Sequence, residues 1–129
     1  MFPVSPRESV ILAENYESLV AWYRDTLDLK VVSRHDEGFH YTHLENPAGV
    51  RLGIAVAEEM NVEPRERSRN TVLMQFEVND VRAFLAHIEV SGGSASFGPS
   101  FNREEGFWFG AFADPEGNPF WIVDRNCPE

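Results

Sequence analysis

Three histidines, His35, His40 and His43, lie close together in the first half of the chain, and their imidazoles suit proton transfer or metal ligation. Their spacing limits what they can do jointly. His40 and His43 are an odd number of residues apart, which on a strand sends them to opposite faces, so they cannot converge without a bulge. The competing reading is of ordinary surface histidines beside a hairpin. Arg51 and Gly53 are evenly spaced and share a face, where Arg51 is able to pair with Glu8 or meet an anionic ligand and Gly53 leaves room that a side chain would fill. Towards the C-terminus Phe101, Phe107, Trp108, Phe109, Phe112, Phe120 and Trp121 crowd a short segment. Alternation buries some of these as core, but as a group they exceed what one face of a small sheet needs. That surplus points to a hydrophobic ligand or a subunit contact. His87 falls between the apolar positions of a helical pattern and reads as a boundary residue. No phosphate-binding loop, nucleophile elbow or dinucleotide fingerprint occurs.

The elements that must carry these residues occur twice. Ser9–Ala13 reads as a strand, and Asn15 as the N-cap of a helix with Leu19, Val20, Trp22, Tyr23 and Leu27 on its buried stripe. Strands follow over 29–33, 39–44 and 50–56, separated by an Asp36-Glu37-Gly38 turn and an Asn46-Pro47-Ala48-Gly49 turn. The pattern restarts with a strand over 71–78, a helix capped by Asn79 or Asp80 with Val81, Phe84, Leu85 and Ile88 on its stripe, and a stop at Gly92-Gly93. A weak strand over 94–97 and strands over 107–113 and 120–123 complete it, the last two joined by Asp114-Pro115-Glu116-Gly117-Asn118. The hairpin turns repeat at 114 − 46 = 68 residues and the helix caps at 80 − 15 = 65, so caps, stripes and turns recur in one order. The fold class is α+β: two βαβββ modules forming a half-barrel, over 7–56 and 71–125, in a single domain of 1–129. The charged, aperiodic stretch 57–70 around Pro64 is the linker.

Composition narrows the partners. Eleven basic against 21 acidic residues leave a net charge of −10, which argues against nucleic acid and anionic membrane surfaces. The single cysteine, Cys127, allows neither an intramolecular disulfide nor a cysteine metal knuckle. Nothing resembles a signal peptide or a membrane span, and the expected location is the cytoplasm.

The stretch Leu19-Val20-Ala21-Trp22-Tyr23-Arg24-Asp25-Thr26-Leu27-Asp28-Leu29 resembles the first helix and helix exit of the vicinal oxygen chelate superfamily, which includes glyoxalases, bleomycin-resistance proteins and extradiol dioxygenases. Phe112-Ala113-Asp114-Pro115-Glu116-Gly117-Asn118 resembles its second-module hairpin. With the repeat, the resemblance covers nearly the whole chain. It implies a cavity enclosed by the modules and, commonly, a homodimer. In metal-dependent relatives a divalent ion is held by His, Glu or Gln on the first and last strands of each module. Carried over one position at a time, those sites fall on Glu8, Gly53, Leu73 and Trp121, and only Glu8 is able to ligate. The same carry-over turns Phe39, Tyr41 and His43 inward in the first module and Phe107, Phe109 and Ala111 in the second.

Together these readings predict a protein that binds a small aromatic or apolar molecule, with or without a cationic group, without cofactor or metal. Ligand contacts are expected from Tyr41, Arg51, Gly53, Leu73, Phe107, Phe109 and Trp121, under a lid formed by the loop 98–106. One alternative is a metal-dependent or acid–base lyase, isomerase or dioxygenase, with Glu8 and His43 as the acid–base pair and His43's tautomer fixed by the carboxylate. Another is a module for dimerisation or protein contact only.

Overall fold

A computed structural model describes residues 2–129. The chain divides into two compact units, Met1–Pro64 and Arg65–Glu129. Each is a βαβββ module with a four-stranded sheet backed by one helix, as the repeat predicts.

In the first unit the elements are β1 (Ser9–Ala13), α1 (Tyr16–Thr26), β2 (Lys30–His35), β3 (Tyr41–Glu45) and β4 (Arg51–Val56), with strand order β1-β4-β3-β2. The β1–β4 pair is parallel and the others antiparallel. Helix α1 buries Tyr16, Leu19, Val20, Trp22 and Tyr23 as one stripe. Beneath it lie Thr42, Leu44, Leu52 and Ile54, none more than 1% exposed, and the buried Tyr16 and Thr42 hydroxyls hydrogen-bond each other. Strand alternation turns Tyr41, His43, Gly53 and Ala55 to the opposite face. Asn15 occupies the N-cap position of α1 without making a side-chain cap bond.

In the second unit β5 (Met74–Glu77), α2 (Val81–Val90), β6 (Ser94–Asn102), β7 (Phe107–Ala113) and β8 (Pro119–Val123) give the order β5-β8-β7-β6, again with a parallel first pair. Asp80 is the cap, its carboxylate accepting from the Ala83 amide at 3.1 Å. The helix ends in a Schellman arrangement, with Gly92 at φ +97° and the Gly93 amide donating to the Ile88 carbonyl. Phe112 and Phe120 stack at 4.9 Å between centroids, and with Phe76 and Phe84 form the core under α2. The hairpin turn is held by Asp114, buried, which accepts from the Glu116 and Asn118 amides and from the Asn118 side chain.

Three expectations change. The segment 98–106 is not a lid: β6 runs to Asn102 and pairs with β7 as far as Phe107. Register shifts between Ala95 and Ser100 absorb Gly98 and Pro99, so the strand continues past residues that read as a break. Strand β5 starts at Met74 rather than residue 71. Phe39 stands outside β3 and packs against His35 in a tilted pair, with centroids 4.4 Å apart, because the turn before β3 extends to His40. Among the described residues no helix is long and apolar enough to cross a membrane.

Candidate functional site

Each unit presents one face bare of its helix, and the two faces differ in kind. On the first unit Glu8, immediately before β1, reaches over the sheet to β3. Its Oε2 accepts from the Tyr41 hydroxyl at 2.6 Å, and His43 Nδ1 lies 3.0 and 2.9 Å from its two oxygens. The Glu8 side chain is 5% exposed and that of His43 31%, so the carboxylate is enclosed while the imidazole edge stays open. The Tyr41 and His43 rings lie 4.7 Å apart, which limits imidazole rotation.

Burial pushes the Glu8 carboxyl upward. The hydrogen bonds from Tyr41 and His43, with the electrostatic attraction of His43 and Arg51, outweigh it and hold the carboxyl below its ordinary range. Tyr41 responds in the opposite sense. Burial and its bond to the Glu8 carboxylate push its pKa up to about 12, against a small pull from Arg7. Near neutrality the cluster is therefore an ionised carboxylate fed by a neutral phenol and an imidazole.

Gly53 has a different role from the one its spacing suggests. A Cβ there would lie 2.0 Å from the Tyr41 hydroxyl oxygen and 2.5 Å from Glu8 Oε2, so the room is already filled by the Tyr41–Glu8 bond. Arg51 pairs with Glu45, its neighbour across the strands, at 3.7 Å, and makes no ion pair with Glu8. That exposed pair adds little stability. His40 is held through its amide and Nδ1 by Glu59 and takes no part in the cluster, and His35 Nε2 meets the Glu37 carbonyl.

On the second unit a cavity of about 640 Å³ opens over the face of β6, β7 and β8. Phe107, Phe109, Ala111 and Trp121 line it, as do Gln75, Phe97, Asn102 and Cys127, which sequence reasoning missed. Trp121 is 54% exposed despite its size. Leu73 is not in the lining. It precedes β5, and Gln75, two residues on, takes the place opposite Trp121. Period-two alternation along that segment carries the signal for Gln75, since it shares a face with Leu73. Trp108 points the other way, with the Arg82 guanidinium 4.4 Å from its ring centre. The aromatic run thus splits between cavity and helix face.

The divalent metal that the resemblance implies does not fit these residues. Both Glu8 oxygens are committed to Tyr41 and His43, the Gly53 position is blocked by the Tyr41 hydroxyl, and Leu73 and Trp121 offer no ligating atom. Among the described residues no three of His, Cys, Asp and Glu gather as ligands of one ion would.

Comparison with known proteins agrees with this architecture. Residues 8–123 match the Glyoxalase-like domain family, and the chain belongs to it, within the vicinal oxygen chelate superfamily. A glyoxalase/bleomycin resistance protein/dioxygenase superfamily member from Sphaerobacter thermophilus is similar at TM-score 0.75 and 17% identity, with 95% of this chain and 98% of that one covered. A glyoxalase family protein from Enterococcus faecalis gives 0.73 at 19% identity, covering 95% and 99%. A glyoxalase I mutant from Zea mays gives 0.72 at 14% identity, covering 93% of this chain and 47% of that one. At these identities the likeness is one of fold. Among curated proteins none matches the sequence.

Proposed function

We propose that this glyoxalase-like protein binds a small aromatic or apolar molecule, with or without a cationic group, in the cavity of its second unit, and does so without a metal. The observation that carries the reading is the cavity's lining: Phe97, Phe107, Phe109 and a half-exposed Trp121 around about 640 Å³, a volume suited to a drug-sized molecule. An apolar aromatic left this exposed is worth desolvating, and a flat ring stacking on Trp121 would do so. Gln75 and Asn102 are polar groups of the lining, able to orient a ligand by hydrogen bonds. The net charge of −10 favours the approach of a cationic ligand over an anionic one.

The test is a thermal-shift screen with bleomycin and planar aromatic cations and neutral aromatics as probes. A probe at a hundredfold excess over Kd should stabilise the fold by about 2.7 kcal/mol. Trp121→Ala should remove that gain while lowering the unliganded melting temperature by no more than a few degrees. A gain that survives Trp121→Ala refutes the cavity as the site. Association of two copies through this same face, detected by sedimentation and abolished by Trp121→Ala, would favour a contact surface instead.

A further inference from the structure

We infer that Glu8 and His43 form a proton-transfer site in the first unit, in which His43 Nε2 is the base and Glu8 the group that positions it. This goes beyond ligand binding in the cavity and rests on residues of the other unit, so the two readings fail separately.

The argument starts from the donor inventory. An ionised carboxylate only accepts hydrogen bonds, so with both Glu8 oxygens within 3.0 Å of His43 Nδ1, that nitrogen must carry the proton when the imidazole is neutral. Nε2 is then left with its lone pair free. Among the described residues no hydrogen bond engages Nε2, and the side chain is 31% exposed. The Tyr41 hydroxyl supplies Glu8's second bond and, with a pKa pushed up to about 12, stays protonated through the working range. Tyr41 therefore holds the carboxylate ionised and does not compete for the substrate proton.

A purely structural ion pair would also place an imidazole beside a buried carboxylate. What distinguishes this one is the division of burial: the carboxylate is enclosed at 5% exposure, while the imidazole that carries the unbonded nitrogen is 31% exposed. When Nε2 takes a proton the charge created on the ring is met by the carboxylate already bound at Nδ1, with no reorganisation needed. The titratable and charged groups around it are the Glu8 carboxylate, the neutral Tyr41 phenol and the Arg51 guanidinium, with Arg7 beyond Tyr41.

The chemistry this permits is removal of a proton from carbon next to a carbonyl or an equivalent electron sink. The C–H bond breaks, its proton bonds to Nε2, the electron pair passes into the sink, and the imidazolium later returns the proton.

The experiment uses the whole chain and a carbon-acid probe, a nitrobenzisoxazole. There a base takes the ring C–H proton, a nitrile forms, the N–O bond breaks, and a coloured cyanophenolate is released. Wild type should exceed His43→Ala by about 10²-fold, and Glu8→Gln should lose about tenfold. His87→Ala, on α2, serves as the control for other imidazoles. Long-range proton–nitrogen NMR on the same samples should show His43 with its proton on Nδ1 in wild type and a mixture of tautomers in Glu8→Gln. A wild type no faster than His43→Ala overturns the inference. So does a neutral His43 with its proton on Nε2, whatever the folding of the variants.

Discussion

The two modules share a backbone plan and differ in what they place on the same lattice positions. On the last two strands of the first unit, His43 faces Gly53 and Tyr41 faces Ala55. On those of the second, Ala111 faces Trp121 and Phe109 faces Val123. In the first pair the bulk sits on the third strand of the module and the glycine on the fourth. In the second pair the order is reversed. Directly opposed residues on one sheet face lie about 5 Å apart, so one large side chain lying across the ladder requires a small partner. The exchange decides the chemistry of each face. With the fourth strand bare at Gly53, Tyr41 reaches across to a carboxylate. With it occupied by Trp121, the face becomes the wall of an apolar cavity. A duplicated unit has thus produced one polar face and one aromatic face by moving bulk across a single strand pair.

The most direct way to break this comparison is to fill the first face. Gly53→Ala sets a methyl 2.0 Å from the Tyr41 hydroxyl oxygen, which must displace Tyr41 and separate it from Glu8. The expected cost is about 2 kcal/mol from overpacking and the lost charge-assisted bond, read by urea unfolding. The reciprocal change, Trp121→Ala, removes a side chain that is already 54% exposed and should cost about 1 kcal/mol or less. If the glycine variant proves neutral and the tryptophan variant strongly destabilised, the swap of bulk is not what shapes the faces.

A smaller effect sharpens the polar half. Glu8's carboxyl is lowered in the folded state, so its contribution is present above the unfolded pKa and is lost as pH falls through the folded value. Tyr41's pKa is raised to about 12, so the folded state holds its proton longer than the unfolded chain does. Its contribution is whole below about pH 10, the unfolded value, and fades as pH rises from there towards about 12. Glu8→Gln should flatten the acid limb of the stability profile and Tyr41→Phe the alkaline limb, the latter by on the order of 1 kcal/mol after solvent screening. Trp121→Ala should alter neither limb, because no charged side chain lines its cavity.

Local signals made much of this legible in the sequence. The caps, the helical stripes and the two Asn/Asp-Pro-x-Gly turns are set by residues within a few positions of one another, and they yielded both modules. Glu8, Tyr41 and His43 could be named because the resemblance to the vicinal oxygen chelate superfamily carries site positions over to them even where side chains differ. What escaped depended on register between distant strands. Gly53 looked like empty space because nothing in the sequence says that Tyr41, paired with its second neighbour Ala55, would lean over it. Arg51 found Glu45 only through the ladder, and Gln75 displaced Leu73 because β5 begins three residues later than its apolar run. Gly98-Pro99 reads as a break in any local pattern, and only the bulges of β6 carry the strand through it.

The helix exits offer the finest comparison between the units. Both leave the helix through one residue in the left-handed region, Asp28 at φ +55° in the first and Gly92 at φ +97° in the second. A side chain is strained there, though aspartate tolerates it better than most, and glycine is not strained at all. The second unit already has the unstrained residue, so the first is where stability is left to gain. Asp28→Gly should raise the unfolding free energy by about 0.5 kcal/mol. Relief of the left-handed penalty outweighs the extra freedom glycine gives the unfolded chain, and the effect is measurable as a shift in urea midpoint at constant slope. Gly92→Ala should cost about 1 kcal/mol for the same reason with opposite sign. If Asp28→Gly instead destabilises, the aspartate side chain supplies an interaction that its backbone position does not reveal, and the two exits are not equivalent.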